Sequence, residues 1–114
     1  MLYTNLKHIE TADAHKKFIS ENENVMICCG RMGPMCIPVY GIMEELEGEY
    51  AHVKFADMEF DSPESHVIRN VPEVKSFMGI PFTMYYKNGK LVKATSSIQS
   101  KAQVTGILET EFAK

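Results

Sequence analysis

Apolar residues along this chain fall into short solid runs, alternating runs and helical stripes, and each pattern predicts an element. The opening LYTNLKHI alternates in part and predicts a short strand. In ADAHKKFISEN, Ala14, Phe18 and Ile19 recur at helical spacing, with Thr11 placed as N-cap and Asn22 and Asn24 as breakers. VMICC is apolar throughout and bounded by Gly30, the pattern of a strand buried on both faces. Gly33-Pro34 opens the next helix, in which Val39, Ile42, Met43, Leu46 and Tyr50 keep an i, i+3, i+4 rhythm. Pro38 lies near its start, where it removes one backbone donor and is placed to bend it.

HVKFADMEF predicts a further strand, and DSPESHVIRNVPEVKSFMG a helical region interrupted before Pro72, with a second short helix ending at Gly79. In IPFTMYYKNGKLVKATS two β-rich runs flank Asn88-Gly89, the strongest short hairpin signal. SKAQVTGILETEFAK closes the chain as an amphipathic helix with Val104, Ile107, Leu108 and Phe112 on one side. The order is β-α-β-α-β-α-β-β-α. A two-residue hairpin makes the last two strands antiparallel, while the crossovers favour parallel pairing before it. The fold class expected is α/β, one mixed β-sheet sandwiched by helices. No linker divides residues 1–114, so a single domain is expected.

Composition narrows the function. A formal net charge of −3, with no Lys/Arg cluster beyond Lys16-Lys17, argues against a nucleic-acid partner. No apolar run approaches spanning length and the N-terminus lacks a signal-peptide core, so no membrane association and a cytoplasmic location are expected. All three cysteines lie in CCGRMGPMCIP, which in a reducing compartment points to catalysis or metal binding more than to a structural disulfide. Cysteines are also good small core residues, and that is the bland alternative.

Gly79-Ile80-Pro81, then an apolar strand, then Lys87-Asn88-Gly89 is similar to the Gly-Ile-Pro-Thr, strand, Lys-Asn-Gly pattern of the thioredoxin family. Gly33-Pro34 before a helix ending in Glu49-Tyr50 is the second match, and the element order agrees with both. The resemblance implies a thioredoxin-like fold, a cis peptide at Pro81 facing the cysteine turn, and a substrate surface at Gly33, Pro34, Ile80, Pro81 and Phe82. It implies a protein or peptide disulfide as substrate and a reductase as electron donor, with no cofactor. The site departs from the family's Trp-Cys-Gly-Pro-Cys. Anchored on Gly33-Pro34, both family cysteines fall on Met32 and Met35. Counted back from Glu49-Tyr50, Cys36 takes the inner cysteine's place and Gly33 the outer one's. The tryptophan is missing, and Phe82 replaces the threonine after the proline.

Cys36 lies near a helix N-terminus, where unpaired N–H groups favour a thiolate. Cys29 is the partner expected for it, because residues 30–35 form a loop long enough to bring two Cα atoms within the disulfide range of about 4.4–6.8 Å. Cys28 points to the opposite strand face and is read as core. The function expected is thiol–disulfide exchange by a Cys29/Cys36 pair. Two alternatives stand beside it. Met32, Met35 and the cysteines form a soft ligand set of the kind Cu(I) prefers, although methionine also fills gaps in cores. A redox-inactive module would use Met32, Met35, Met78 and Phe82 around Pro81 as an apolar patch for a partner peptide. The four histidines have no ligand spacing, and Asp57-x-Glu59-x-Asp61 lacks the other ligands of a calcium loop.

Overall fold

The computed structural model describes residues 2–113, which leaves Lys114 of the predicted C-terminal helix outside the described residues. The elements in chain order are β1 (Lys7–Ile9), α1 (Ala12–Glu21), β2 (Asn24–Gly30), α2 (Ile37–Glu49), β3 (Lys54–Glu59), α3 (His66–Arg69), β4 (Phe82–Lys87), β5 (Lys90–Ser96) and α4 (Lys101–Glu111). The five strands form one sheet in the order β1-β3-β2-β4-β5. β1 and β2 run parallel to β3, and β4 is antiparallel to both β2 and β5.

All seven residues of β2 are buried, as an apolar run covered on both faces requires. Because side chains alternate along a strand, its residues divide between two cores. Met26 and Cys28 join Val39, Tyr40, Met43 and Leu46 of α2 with Val104, Leu108 and Phe112 of the C-terminal segment. Val25, Ile27 and Cys29 join the opposite core with Phe18 and Ile19 of α1, Ile68 of α3 and Val74. Each fully buried Val, Ile or Met here contributes roughly 1.5–3 kcal/mol relative to exposure.

The local signals act largely as the sequence suggests. The Thr11 hydroxyl accepts the Ala14 N–H at 3.0 Å, and Ser100 with Gln103 forms a reciprocal capping box on α4. Asn88 and Gly89 adopt φ of 52° and 80°, the left-handed pair a two-residue hairpin turn requires. Three expectations change. The first strand is only Lys7–Ile9, because Leu2 and Leu6 turn into the α2 core instead of continuing the ladder. α2 starts at Ile37, not at Gly33. Pro38 then falls in the first turn, where its missing N–H has no role in the helix ladder and causes no break. The 61–79 region folds as two 3₁₀ turns (Pro63–Ser65 and Pro72–Val74) around the four-residue α3, with no helix reaching Gly79.

His15 is buried on α1, with its Nε2 3.1 Å from the Tyr86 hydroxyl. Burial lowers its pKa from 6.5 to about 4. The unfolded chain therefore binds this proton more readily than the fold does. Stability from His15 is full above pH 6.5 and falls as the pH drops toward 4, by about 2–3 kcal/mol in all. Asp57, whose pKa burial raises, acts in the opposite sense near the acid end of that window. His15→Gln retains a hydrogen-bonding side chain opposite Tyr86 but not the titration. Urea unfolding at several pH values should give a flatter profile for the variant, and equal slopes would refute the assignment.

Candidate functional site

β2 ends at Gly30, and the chain turns through residues 31–36 into α2 with Cys36 as N-cap. The Gly33 carbonyl accepts the N–H groups of Cys36 (3.1 Å) and Ile37 (2.9 Å), which winds the turn directly into the helix. Cys36 is only 1% exposed, and its Sγ accepts the Arg31 N–H at 3.4 Å. The Tyr40 hydroxyl donates to the Arg31 carbonyl at 3.1 Å and ties the first turn of α2 to the loop.

The close packing depends on a glycine. A Cβ on Gly30 would lie 2.8 Å from both Cys36 Sγ and the Tyr40 hydroxyl, and 3.1 Å from Pro81 Cβ. Strand end, helix start and proline loop thus meet where only hydrogen fits. The Ile80–Pro81 peptide is cis, and the Pro81 carbonyl accepts the Ser97 N–H at 3.0 Å, which anchors the loop to the end of β5. No hydrogen bond reaches the amide or carbonyl of Ile80 among the described residues. Between turn and loop lies an open, mostly apolar groove of about 310 Å³ with Gly33, Pro34, Met35 and Cys36 on one wall and Gly79 and Ile80 on the other.

Of the expected substrate residues, Gly33, Pro34 and Ile80 line this groove, and Pro81 lies buried behind it. Phe82 does not. Its ring enters the opposite core against Phe60 and Phe77, because the strand period turns it away from Cys36. Met78 is 98% exposed and outside the groove lining, while Met32 packs on the α2 core with its sulfur 3.3 Å from the Tyr3 amide nitrogen. Of the soft sulfur residues considered for Cu(I), Met32, Cys28 and Cys36 share the α2 core and Met35 lines the groove with Cys36, whereas Cys29 lies apart from them. The cysteines are divided as well, and all three are free. Cys28 shares the α2 core with Cys36, whereas Cys29, the expected partner, lies in the core on the other face of the sheet. Loop length alone could not reveal which face α2 covers. Burial pushes the Cys29 thiol up to about 12 and the Cys28 thiol well above its usual range.

Arg31 is the site residue that sequence reasoning missed. Its guanidinium forms a two-pronged pair with Asp61 (2.7 and 2.8 Å) and lies 5.2 Å from the centre of the Phe60 ring. The segment after β3 is thereby tied to the rim of the groove. Asp61 holds the Arg31 pKa above its ordinary value, and Arg31 holds that of Asp61 below its own. Both side chains are more than half exposed, so salt screens the pair.

Comparison with solved structures identifies the architecture. The chain superposes on Fasciola hepatica thioredoxin with a TM-score of 0.77 at 20% identity, covering 92% of this chain and 98% of that one. The chain has the thioredoxin fold. Chlamydomonas reinhardtii thioredoxin f2 gives 0.75 at 13% identity over 96% and 100% of the two chains, and Plasmodium falciparum thioredoxin 0.72 at 20% over 93% and 99%. No protein-family model and no curated protein matches the sequence. Among the described residues of this thioredoxin-fold chain, no helix is long and apolar enough to cross a membrane.

Gly30→Ala tests the packing. The added methyl must displace the turn, the Tyr40 hydroxyl or the proline loop, at a cost of about 1–3 kcal/mol. A lower urea midpoint with an unchanged slope is the expected result, and an unaltered midpoint would show that the junction has slack.

Proposed function

We propose that this thioredoxin-fold chain is a thiol–disulfide oxidoreductase whose attacking thiol is Cys36. The observation that carries the reading is the position of that thiol. It is the one cysteine lining the groove among the described residues, and it faces a loop whose Ile80 backbone is unpaired. An extended peptide laid in the groove can give Ile80 the hydrogen bonds it lacks and bring its own disulfide to Cys36. The thiol stands at the start of α2, and its Sγ already accepts the Arg31 N–H. Because Cys36 is 1% exposed, exchange is gated by opening of the Gly33–Cys36 turn. Substrates are disulfides of proteins or peptides, and a dithiol reductant returns the electrons.

A second reading, a redox-inactive peptide-binding module, has its own support in the burial of all three thiols and the raised pKa values of Cys28 and Cys29. Turnover of a chromogenic aryl disulfide with excess dithiol separates the two. Cys36→Ser should lower the rate roughly a hundredfold or more, since a hydroxyl is a far weaker nucleophile than a thiolate. A wild-type rate no higher than that of the variant, with peptide binding equal in both, would favour the module.

A further inference from the structure

Across the face of the sheet that α2 covers runs a row of polar side chains, one from each strand. His8 of β1 pairs in register with Asp57 of β3, Asp57 with Cys28 of β2, Cys28 with Thr83 of β4, and Thr83 with Thr95 of β5. Asp57, Cys28 and Thr83 are at most 1% exposed. His8 Nδ1 lies 2.7 Å from the Asp57 carboxylate, and the Thr83 hydroxyl lies 4.0 Å from Cys28 Sγ. At its β1 end the row meets a cavity of about 310 Å³ lined by His8 and Asp57, with His8 29% exposed. A transverse polar row through an apolar core is costly unless its members are paired or used.

We infer that Cys28 is the second thiol of the site, that it closes a disulfide with Cys36, and that Asp57 takes its proton and passes it through His8 to the cavity. The inference rests on the reading of Cys36 as the attacking thiol. Cys28 and Cys36 belong to one core, and Gly30, two positions beyond Cys28 on the same strand face, has no side chain to stand between them. Asp57 neighbours Cys28 on the adjacent strand, about 4.8 Å away, with its side chain on the same face. The bond closes when the two Cα atoms lie within about 7 Å of each other.

The chemistry balances. The Cys36 thiolate attacks a substrate disulfide, forming a mixed disulfide and releasing one substrate thiolate, which takes a proton from water. Cys28 gives its proton to the Asp57 carboxylate, and its thiolate attacks Cys36 Sγ. The bond between Cys36 and the substrate breaks, the second substrate thiolate leaves into the groove and takes a proton from water, and Asp57 releases its proton through His8 to the cavity. Two electrons have passed to the substrate, and the protein holds a Cys28–Cys36 disulfide until a dithiol reduces it. Burial raises the pKa of Asp57, with the Thr4 and His8 hydrogen bonds pulling it back in part, so the group suits proton acceptance better than an ordinary carboxylate. The other titratable groups near it are Tyr40 and Glu44 of α2 and the cavity-lining Glu10 and Glu59.

The test is reaction of the full chain with oxidised glutathione, followed by alkylation in denaturant and mapping of the linked peptides. A Cys28–Cys36 link with Cys29 alkylated is expected, and the same link should form in Cys29→Ala. In Cys28→Ala the glutathione adduct on Cys36 should persist at least about tenfold longer than in the wild type. A Cys29–Cys36 link, or an adduct equally long-lived with and without Cys28, overturns the inference and leaves Cys36 as the attacking thiol. Failure of Cys36 to react at all overturns both. For Asp57, the decay of the adduct followed against pH is the readout. The wild-type rate should rise and level off as the carboxylate ionises. Asp57→Asn should be slowed roughly tenfold or more near neutrality and keep rising with pH, as thiol ionisation by solvent requires. His8→Gln gives a second measurement where the asparagine variant does not fold. Profiles identical to wild type in both variants overturn the proton route.

Discussion

The rest of the molecule depends on burying β2 from both sides. A strand in that position needs a helical layer on each face, and the parallel crossovers through α1 and α2 supply them. The strand's period of two then fixes more than packing. It assigns Met26, Cys28 and Gly30 to the α2 face and Val25, Ile27 and Cys29 to the other, so neighbouring cysteines end up in different cores. The end of β2 is also where the site begins. Gly30 lets the turn, the α2 terminus and the proline loop converge within van der Waals distance. Thiol placement follows from strand geometry before any question of reactivity arises.

Two surfaces of different character result. The groove beside Cys36 is open, mostly apolar and rimmed by an exposed ion pair, and on the proposed function it takes an extended chain held mainly by backbone contacts and apolar side chains. The cavity at the β1 edge has a mixed lining, with Leu2 and Ile9 beside acidic residues and His8, and touches a buried carboxylate. The row of cross-strand neighbours runs from this cavity across the sheet to Thr95 of β5. Tyr85 and Thr95 each bury a hydroxyl without a partner among the described residues, so this core is less completely satisfied than the opposite one, where the Tyr86 hydroxyl meets His15.

Elements governed by local chemistry were legible in the sequence. Thr11 marks a helix start, Asn88-Gly89 a hairpin and VMICC a buried strand, because capping, left-handed φ and solid apolarity act on a few residues at a time. Pro81 and the Gly33-Pro34 turn were legible through the resemblance to thioredoxins. Side-chain placement was harder. Cys29 lies nearest in sequence to the loop, but partner choice depends on which face α2 covers. Phe82 follows the proline directly, yet the same alternation turns it away from the groove. Arg31 carried no signal, since its role depends on Asp61, thirty residues distant, reaching the rim of the groove. The 61–79 region misled because its prolines and serines fit short 3₁₀ turns as well as helix starts.

The split between Cys28 and Cys29 also gives the molecule two built-in reporters. Each is fully shielded in the native fold, and each lies under a different helical layer. Alkylation of Cys28 requires the α2 and α4 layer to lift, and alkylation of Cys29 requires the α1 and α3 layer to do so. Adjacent residues on one strand therefore record the separate opening of the two halves, and the ratio of their labelling rates measures whether the layers come away from the sheet together or one before the other.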